Sequence, residues 1–530
     1  MKTFKIDIIV ITLLLICAIV FPIQLNSAPF ALKKNTISNF EFISSNYGIN
    51  FTDVSTAQGA GFWPRGSNNQ YFFGSGFWFA CEKFVIDAKD SSRKLNKFVS
   101  ISYNPNNGRS WMVPGLIDEG QILNRNSRNN NIYCSTEYNN NGKSNDTNLN
   151  WPLWQLSPKL NNLSGLNGIY EADTLKRNSV KYQNGPLIQS DEDILSFYKE
   201  TDLTYYDGGS VLRKAQGYPL GLDIQSKILQ WKNKELNDIV IIRYEITNKS
   251  KDTLYNCNLA GVFDTDIALK SNSAEGASND RMRYYYEDST LNLAVAWTNT
   301  DKGEIGKGFG YVGVSFIETP VIDKNRYLVE SKTLSNPKDQ LGLKTFRSWN
   351  IADDKLLDSD RFLFTSSGLL DGDFGTGDLR MLNASGQFHF LPNQVARFAI
   401  LIGFALPKKG GEADGSSVDI GNGDDISGNS LTSKVKRGKE YYYGNYTPNA
   451  IEDEFEVFQN FNVSPNPAQD ILEIRDIEFT NNQTAQIISI QGIEIKQINA
   501  SRFINISDLA DGIYYIKIGT KTQKFVKIGK

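Results

Sequence analysis

The sequence predicts a mostly β protein: a large β-sandwich-like ectodomain of one or two lobes, then a small C-terminal Ig-like β-sandwich. Three observations predict it. The 530 residues include 31 Phe and 24 Tyr but only 4 Met, with 43 Gly and abundant Asn, a composition suited to strands and turns. Asp238–Asn248 is a long run rich in β-branched residues. Residues 458–530 alternate in short segments at roughly ten-residue spacing, each ended by a turn signal.

The elements follow in chain order. Lys2 and Lys5, the apolar run Ile8 to Phe21, Pro22 and the small residues Asn26-Ser27-Ala28 read as a signal peptide over 1–28. The apolar run falls short of the ~20 residues that cross a bilayer, so no integral span is expected in the mature chain. Residues 29–210 form an aromatic- and Gly-rich β region. Gly61–Phe79 sets eight aromatic residues among four glycines, and Asn124–Asn150, with 11 Asn in 27 residues, reads as a surface loop. Asp191–Lys199, with Ile194, Leu195 and Tyr198 on one side, suits a short helix.

Residues 211–410 form a β-sandwich-like region. Its strands are Asp238–Asn248 and Leu254–Phe263, with a hairpin formed by Gly386–Leu391 and Val395–Phe404 about Pro392-Asn393-Gln394. A loop or linker over 411–457 precedes the last domain, 458–530.

Charge and residue counts exclude several classes. A net charge of −3 with no basic concentration argues against nucleic acid as a partner. Beyond the signal peptide, Cys81, Cys134 and Cys257 allow one disulfide within the molecule at most and lack metal-type spacing. The single histidine, His389, sits in an alternating strand and in no nucleophile or zinc motif.

Carboxylates remain. Asp371, Asp373 and Asp378 interleave with Gly372, Gly375 and Gly377, the kind of oxygen-rich loop that holds a structural calcium ion; the plainer reading is an acidic turn. Asp264 and Asp266, followed by Asp280, make a second cluster. Aromatic residues offer a binding surface at Trp151 and Trp154, beside the Asn-rich loop, although Trp63, Trp78 and Trp111 suit a sandwich core better.

The C-terminal segments NVSPNPAQDILEI (462–474), IISIQGIEI (487–495), LADGIYYIKI (509–518) and KFVKIGK (524–530) resemble the type A sorting domain of type IX secretion substrates. Pro465, Asn466, Pro467, Gly492, Gly512, Tyr514 and Lys527 carry the likeness. It implies the type IX secretion machinery as partner and a cell-surface or extracellular destination. WPRGSNNQYFFGSGFWF (63–79), FDTDI (263–267), SNDRMRYY (278–285) and SGQFHFLPNQVARFAI (385–400) are similar to large secreted proteins carrying the same domain, a grouping that brings no activity with it. Three functions are expected for the remainder. The first is non-catalytic binding of a glycan or envelope component; the others are a two-carboxylate carbohydrate hydrolase and a structural or adhesive surface component.

Overall fold

The computed structural model describes residues 30–117, 131–137, 189–444 and 461–529. Short gaps within these fall at 88, 202, 204–208, 273–276, 299–302, 304–308, 332–333, 409–411, 423–428, 476–478, 480–482, 490–493 and 520. The signal-peptide reading, Trp151, Trp154 and Gly492 lie outside the described residues. Two compact units divide the chain between Tyr446 and Thr447.

The main strands of the larger unit are β1 (Asn69–Ile86), β2 (Arg93–Ile101), β3 (Glu192–Glu200), β4 (Leu222–Gln230), β5 (Ile239–Asn248), β6 (Leu254–Leu269), β7 (Asp280–Tyr284), β8 (Leu293–Thr298), β9 (Tyr311–Glu318), β10 (Leu343–Asn350), β11 (Leu379–Ser385) and β12 (Val395–Ala405). One sheet runs β1–β6–β11–β10, with β2 also pairing β1. The second runs β7–β8–β9–β12–β5–β4–β3, and neighbours in both are antiparallel. Strands from either side of residue 210 share each sheet, since β3 pairs β4 and β1 pairs β6.

The sheets pack face to face through aromatic rings. Phe77 of β1 stacks on Tyr244 of β5 at 5.5 Å, and Tyr244 stacks on Phe398 of β12 at 4.7 Å. Such contacts add to the gain from burying three large side chains. The second sheet is covered on its other face by the helix α1 (Leu431–Tyr442), whose Leu431 and Val435 join Ile239, Ile241 and Leu401 in a second core. A Cβ on Gly438 would lie 2.5 Å from Leu401 Cδ1, so glycine lets the helix approach the sheet. Burial on both faces explains why β12 reads as a nearly unbroken apolar run and why β5 opens on one, Ile239–Ile242.

Several local expectations are corrected. Glu192–Glu200 is a strand, buried along almost its whole length between β4 and the short strands 113–114 and 132–134; pairing outweighs the helical spacing of Ile194, Leu195 and Tyr198. Ile132–Cys134, inside the Asn-rich stretch, is therefore strand as well. Phe388–Phe390 pairs with β6 while Val395–Ala405 pairs with β5 and β9, so Pro392–Gln394 carries the chain between sheets instead of closing a hairpin. Within 411–457, the expected linker, the chain forms α1. Trp63, Trp78 and Trp111 are all buried, and Cys81, Cys134 and Cys257 are free, buried thiols. Burial pushes the Cys134 thiol up to about 12.

The smaller unit stacks a three-stranded sheet (462–464, 471–475, 503–505) with a four-stranded one (494–499, 484–489, 512–518, 521–527). Leu472, Ile474 and Ile504 of the first share a core with Ile487, Ile516 and Phe525 of the second. Their alternation along each strand is what the sequence pattern requires of a small sandwich.

Candidate functional site: an acidic cleft

Alternation along β6 sets the chemistry. Phe263 is fully buried in the core between the sheets, so Asp264 and Asp266 project from the opposite face of the same sheet. The pairing of β6 with β1 shifts register just after Asp264, a bulge of the sort that re-aims side chains. Arg380 of β11 stands opposite Asp264, and Asp378 lies just before that strand. Asp264, Asp266 and Asp378 each bring a carboxylate oxygen within 4.8 Å of the others.

The surroundings hold these groups in place. Tyr103 donates its hydroxyl proton to Asp264 Oδ2 at 2.8 Å, and Arg380 bonds Asp264 Oδ2 at 3.2 Å and Asp378 Oδ1 at 3.1 Å. Behind them the fully buried Asp280 accepts from the Ile267 amide at 3.2 Å, while its carbonyl accepts from the Gly377 amide at 3.0 Å. That last bond ties the 371–378 loop to the cluster. Burial pushes the Asp264 carboxyl up to about 7, against the pull of Arg380 and Tyr103. Asp266 and Asp280 are also raised, by burial first and then by neighbouring carboxylates (for Asp280, after hydrogen bonds that oppose the shift).

The trio forms the acidic part of the lining of a cleft of about 1000 Å³. Phe30, Tyr47 and Phe73 contribute rings to its lining, and Gln58, Asn106, Asn107 and Arg109 contribute polar groups. Phe30 is 55 % exposed and stacks on Tyr47 with centroids 4.1 Å apart. The Asn106–Arg109 wall belongs to a tight turn closed by an Asn104 amide to Arg109 carbonyl bond of 2.8 Å. Gly108 there takes φ 67°, with nothing near its missing Cβ.

The predicted site residues divide. Asp378 enters the cluster, whereas Asp371 and Asp373 do not. Asp371 accepts from Arg347 Nε and the Ser348 amide, both at 2.9 Å, and Asp373 pairs with Arg281 and the Gly375 amide. Sequence reading set Asp264, Asp266 and Asp280 apart as a separate group and missed Tyr103 and Arg380. Glycines mark the place of Tyr103: a Cβ on Gly74 would lie 2.4 Å from its ring, and one on Gly76 2.4 Å from its Cβ.

In the smaller unit the motif residues converge on the last strand. Asn466 accepts from the Val526 amide at 2.9 Å and donates to the Lys524 carbonyl at 3.2 Å. Tyr514 stacks on Phe525 at 5.7 Å and donates to the Ala510 carbonyl, while Gly512 stands opposite the buried Lys527. Pro465 and Pro467 flank Asn466 with cis peptide bonds.

Residues 462–528 match the family model of the secretion system C-terminal sorting domain. The C-terminal unit belongs to that family, so the chain is a type IX secretion substrate exported to the cell surface or the extracellular space. Among the described residues no helix is long and apolar enough to cross a membrane.

No curated protein matches the chain by sequence. Among solved structures, a polysaccharide lyase is similar at 8 % identity and TM-score 0.19, with 96 % of this chain and 47 % of that one covered; the chain thus spans about half the length of the lyase. An Escherichia coli K12 protein assigned as an aldose 1-epimerase is similar at 8 % identity and TM-score 0.23, covering 71 % of this chain and all of that one. The BSP domain of a biofilm-associated protein is similar at 10 % identity and TM-score 0.13, with 96 % and 82 % covered. At these TM-scores the likenesses carry no functional weight.

Proposed function

We propose that this exported protein binds a saccharide of the cell envelope or its surroundings in the acidic cleft, without chemistry. The observation that supports this most is the lining. An exposed ring at Phe30 offers a flat apolar face to a sugar, while amides, Arg109 and carboxylates offer directional bonds to hydroxyls. Incubating the purified protein with a panel of insoluble polysaccharides tests it. Depletion by at least one of them, weakened in Phe30→Ala, is the expected result. Recovery of all the protein from every polysaccharide would overturn the reading and favour a structural or adhesive surface role.

One observation favours the hydrolase reading. Carboxylate oxygens within 4.8 Å of one another approach the ~5–5.5 Å separation at which one carboxyl attacks a glycosidic bond and another protonates the leaving group. Sugar released from a retained polysaccharide, and lost in Asp264→Asn, would establish it over simple binding.

A further inference from the structure

We propose that Asp264, Asp266 and Asp378 hold a divalent cation, calcium by preference, within the cleft. Two independent features meet there. The first is the convergence of three carboxylates, two from β6 and one from the residue just before β11, each with an oxygen within 4.8 Å of the others. One ion with bonds of about 2.3–2.6 Å reaches oxygens at that separation.

The second is an unsatisfied acceptor. Asp264 is only 2 % exposed, and its Oδ1 is buried with no hydrogen-bond partner although the residue lines the cleft. A buried carboxylate oxygen without a partner carries a desolvation cost that a coordinated cation removes.

The neighbouring cation completes the site instead of filling it. Arg380 takes one oxygen from Asp264 and one from Asp378, so each keeps a second oxygen for an ion and is oriented by the guanidinium. Three carboxylates beside one guanidinium leave acidic groups in excess, which a divalent ion offsets. The donors are all oxygen, which selects a hard cation. The protein's one imidazole, His389, is engaged elsewhere, accepting from the Asn256 amide at 3.2 Å. Asp378 has about a third of its side chain exposed, so the side of the ion facing the cleft stays open to further oxygen ligands, water or a bound sugar's hydroxyls.

This assignment differs from the sequence expectation, in which Asp371 and Asp373 were the partners of Asp378, and it stands apart from the saccharide reading because the probe is the metal alone. Titrating the purified, metal-stripped full-length protein with calcium chloride in a calorimeter tests it. The expected result is one ion per chain, a dissociation constant raised roughly tenfold or more in Asp266→Asn and in Asp378→Asn, and little change in Asp373→Asn. Melting curves in chelator verify that each variant folds, and the partly exposed Asp378 keeps the test available if Asp266→Asn does not. Absence of binding at millimolar calcium, or weakening by Asp373→Asn but not by Asp378→Asn, would overturn the proposal.

Discussion

The hydroxyl of Tyr103 donates to Asp264 Oδ2 at 2.8 Å across 161 residues of sequence, and both side chains are buried. Because the acceptor is a buried carboxylate, the donor matters more than a surface bond would. Tyr103→Phe keeps the ring and removes only the hydroxyl, leaving Asp264 to Arg380. Loss of a bond to a buried charged group costs about 1–3 kcal/mol, so urea denaturation should place the variant below wild type by that amount. An unchanged midpoint would mean that the bond contributes nothing.

Room for that ring comes from β1. A Cβ on Gly76 would meet Tyr103 Cβ at 2.4 Å, Ser102 Oγ at 2.6 Å and the Tyr103 amide nitrogen at 2.8 Å. The last of these is backbone and cannot swing aside. Gly76→Ala should therefore destabilise the fold by about 1–3 kcal/mol or more through overpacking, and it should weaken calcium binding by displacing Tyr103 from Asp264. Thermal melting and a calcium titration read the two effects separately.

Local pattern made the sandwich readable, because side chains alternate wherever one face is buried. Ile471 to Arg475 and Ile513 to Ile518 show this in the small domain, and Val240 and Ile242 face the main core while Ile239 and Ile241 face α1. The cleft was less readable. FDTDI carries two acids on one face of a strand, which sequence does show. Asp378 and Arg380 join them through a sheet register more than a hundred residues away, which no local pattern encodes. Glu192–Glu200 failed for a related reason: a strand buried along nearly its whole length loses the alternation that separates it from a helix.

A second buried pair gives the protein a pH dependence away from the cleft. Burial outweighs the carboxylate of Asp193, 3.9 Å away, and pulls the Lys227 ammonium down to about 8 from its ordinary 10.5, while Asp193 is raised. Between those two values the unfolded chain binds the proton that folded Lys227 has released, so this group's contribution to stability rises as the pH rises from 8 to 10.5. Wild type should gain on Lys227→Met over that interval by on the order of 2 kcal/mol. Urea unfolding of both proteins at pH 8 and pH 10 provides the measurement, and a difference that stays constant would contradict it.

The last strand of the sorting domain is held on its outer edge by the Asn466 side chain and by the Ala468 backbone, whose amide donates to the Val526 carbonyl at 2.8 Å. Asn466 bonds the Val526 amide and the Lys524 carbonyl, while Tyr514 packs on Phe525 between them. Removing the Asn466 amide frees two backbone groups of the final strand at a cost of about 1 kcal/mol for each exposed bond. The core of the larger unit is built without this contact. Asn466→Ala should therefore fray the C-terminal strand, leave the main melting transition in place, and shift protein from the cell surface to the periplasm. Deleting 458–530 should do so completely. Fractionation of cells expressing each form decides it: normal surface display of the deletion would show that export proceeds without this domain, and normal display of Asn466→Ala alone would show that recognition tolerates a loosened last strand.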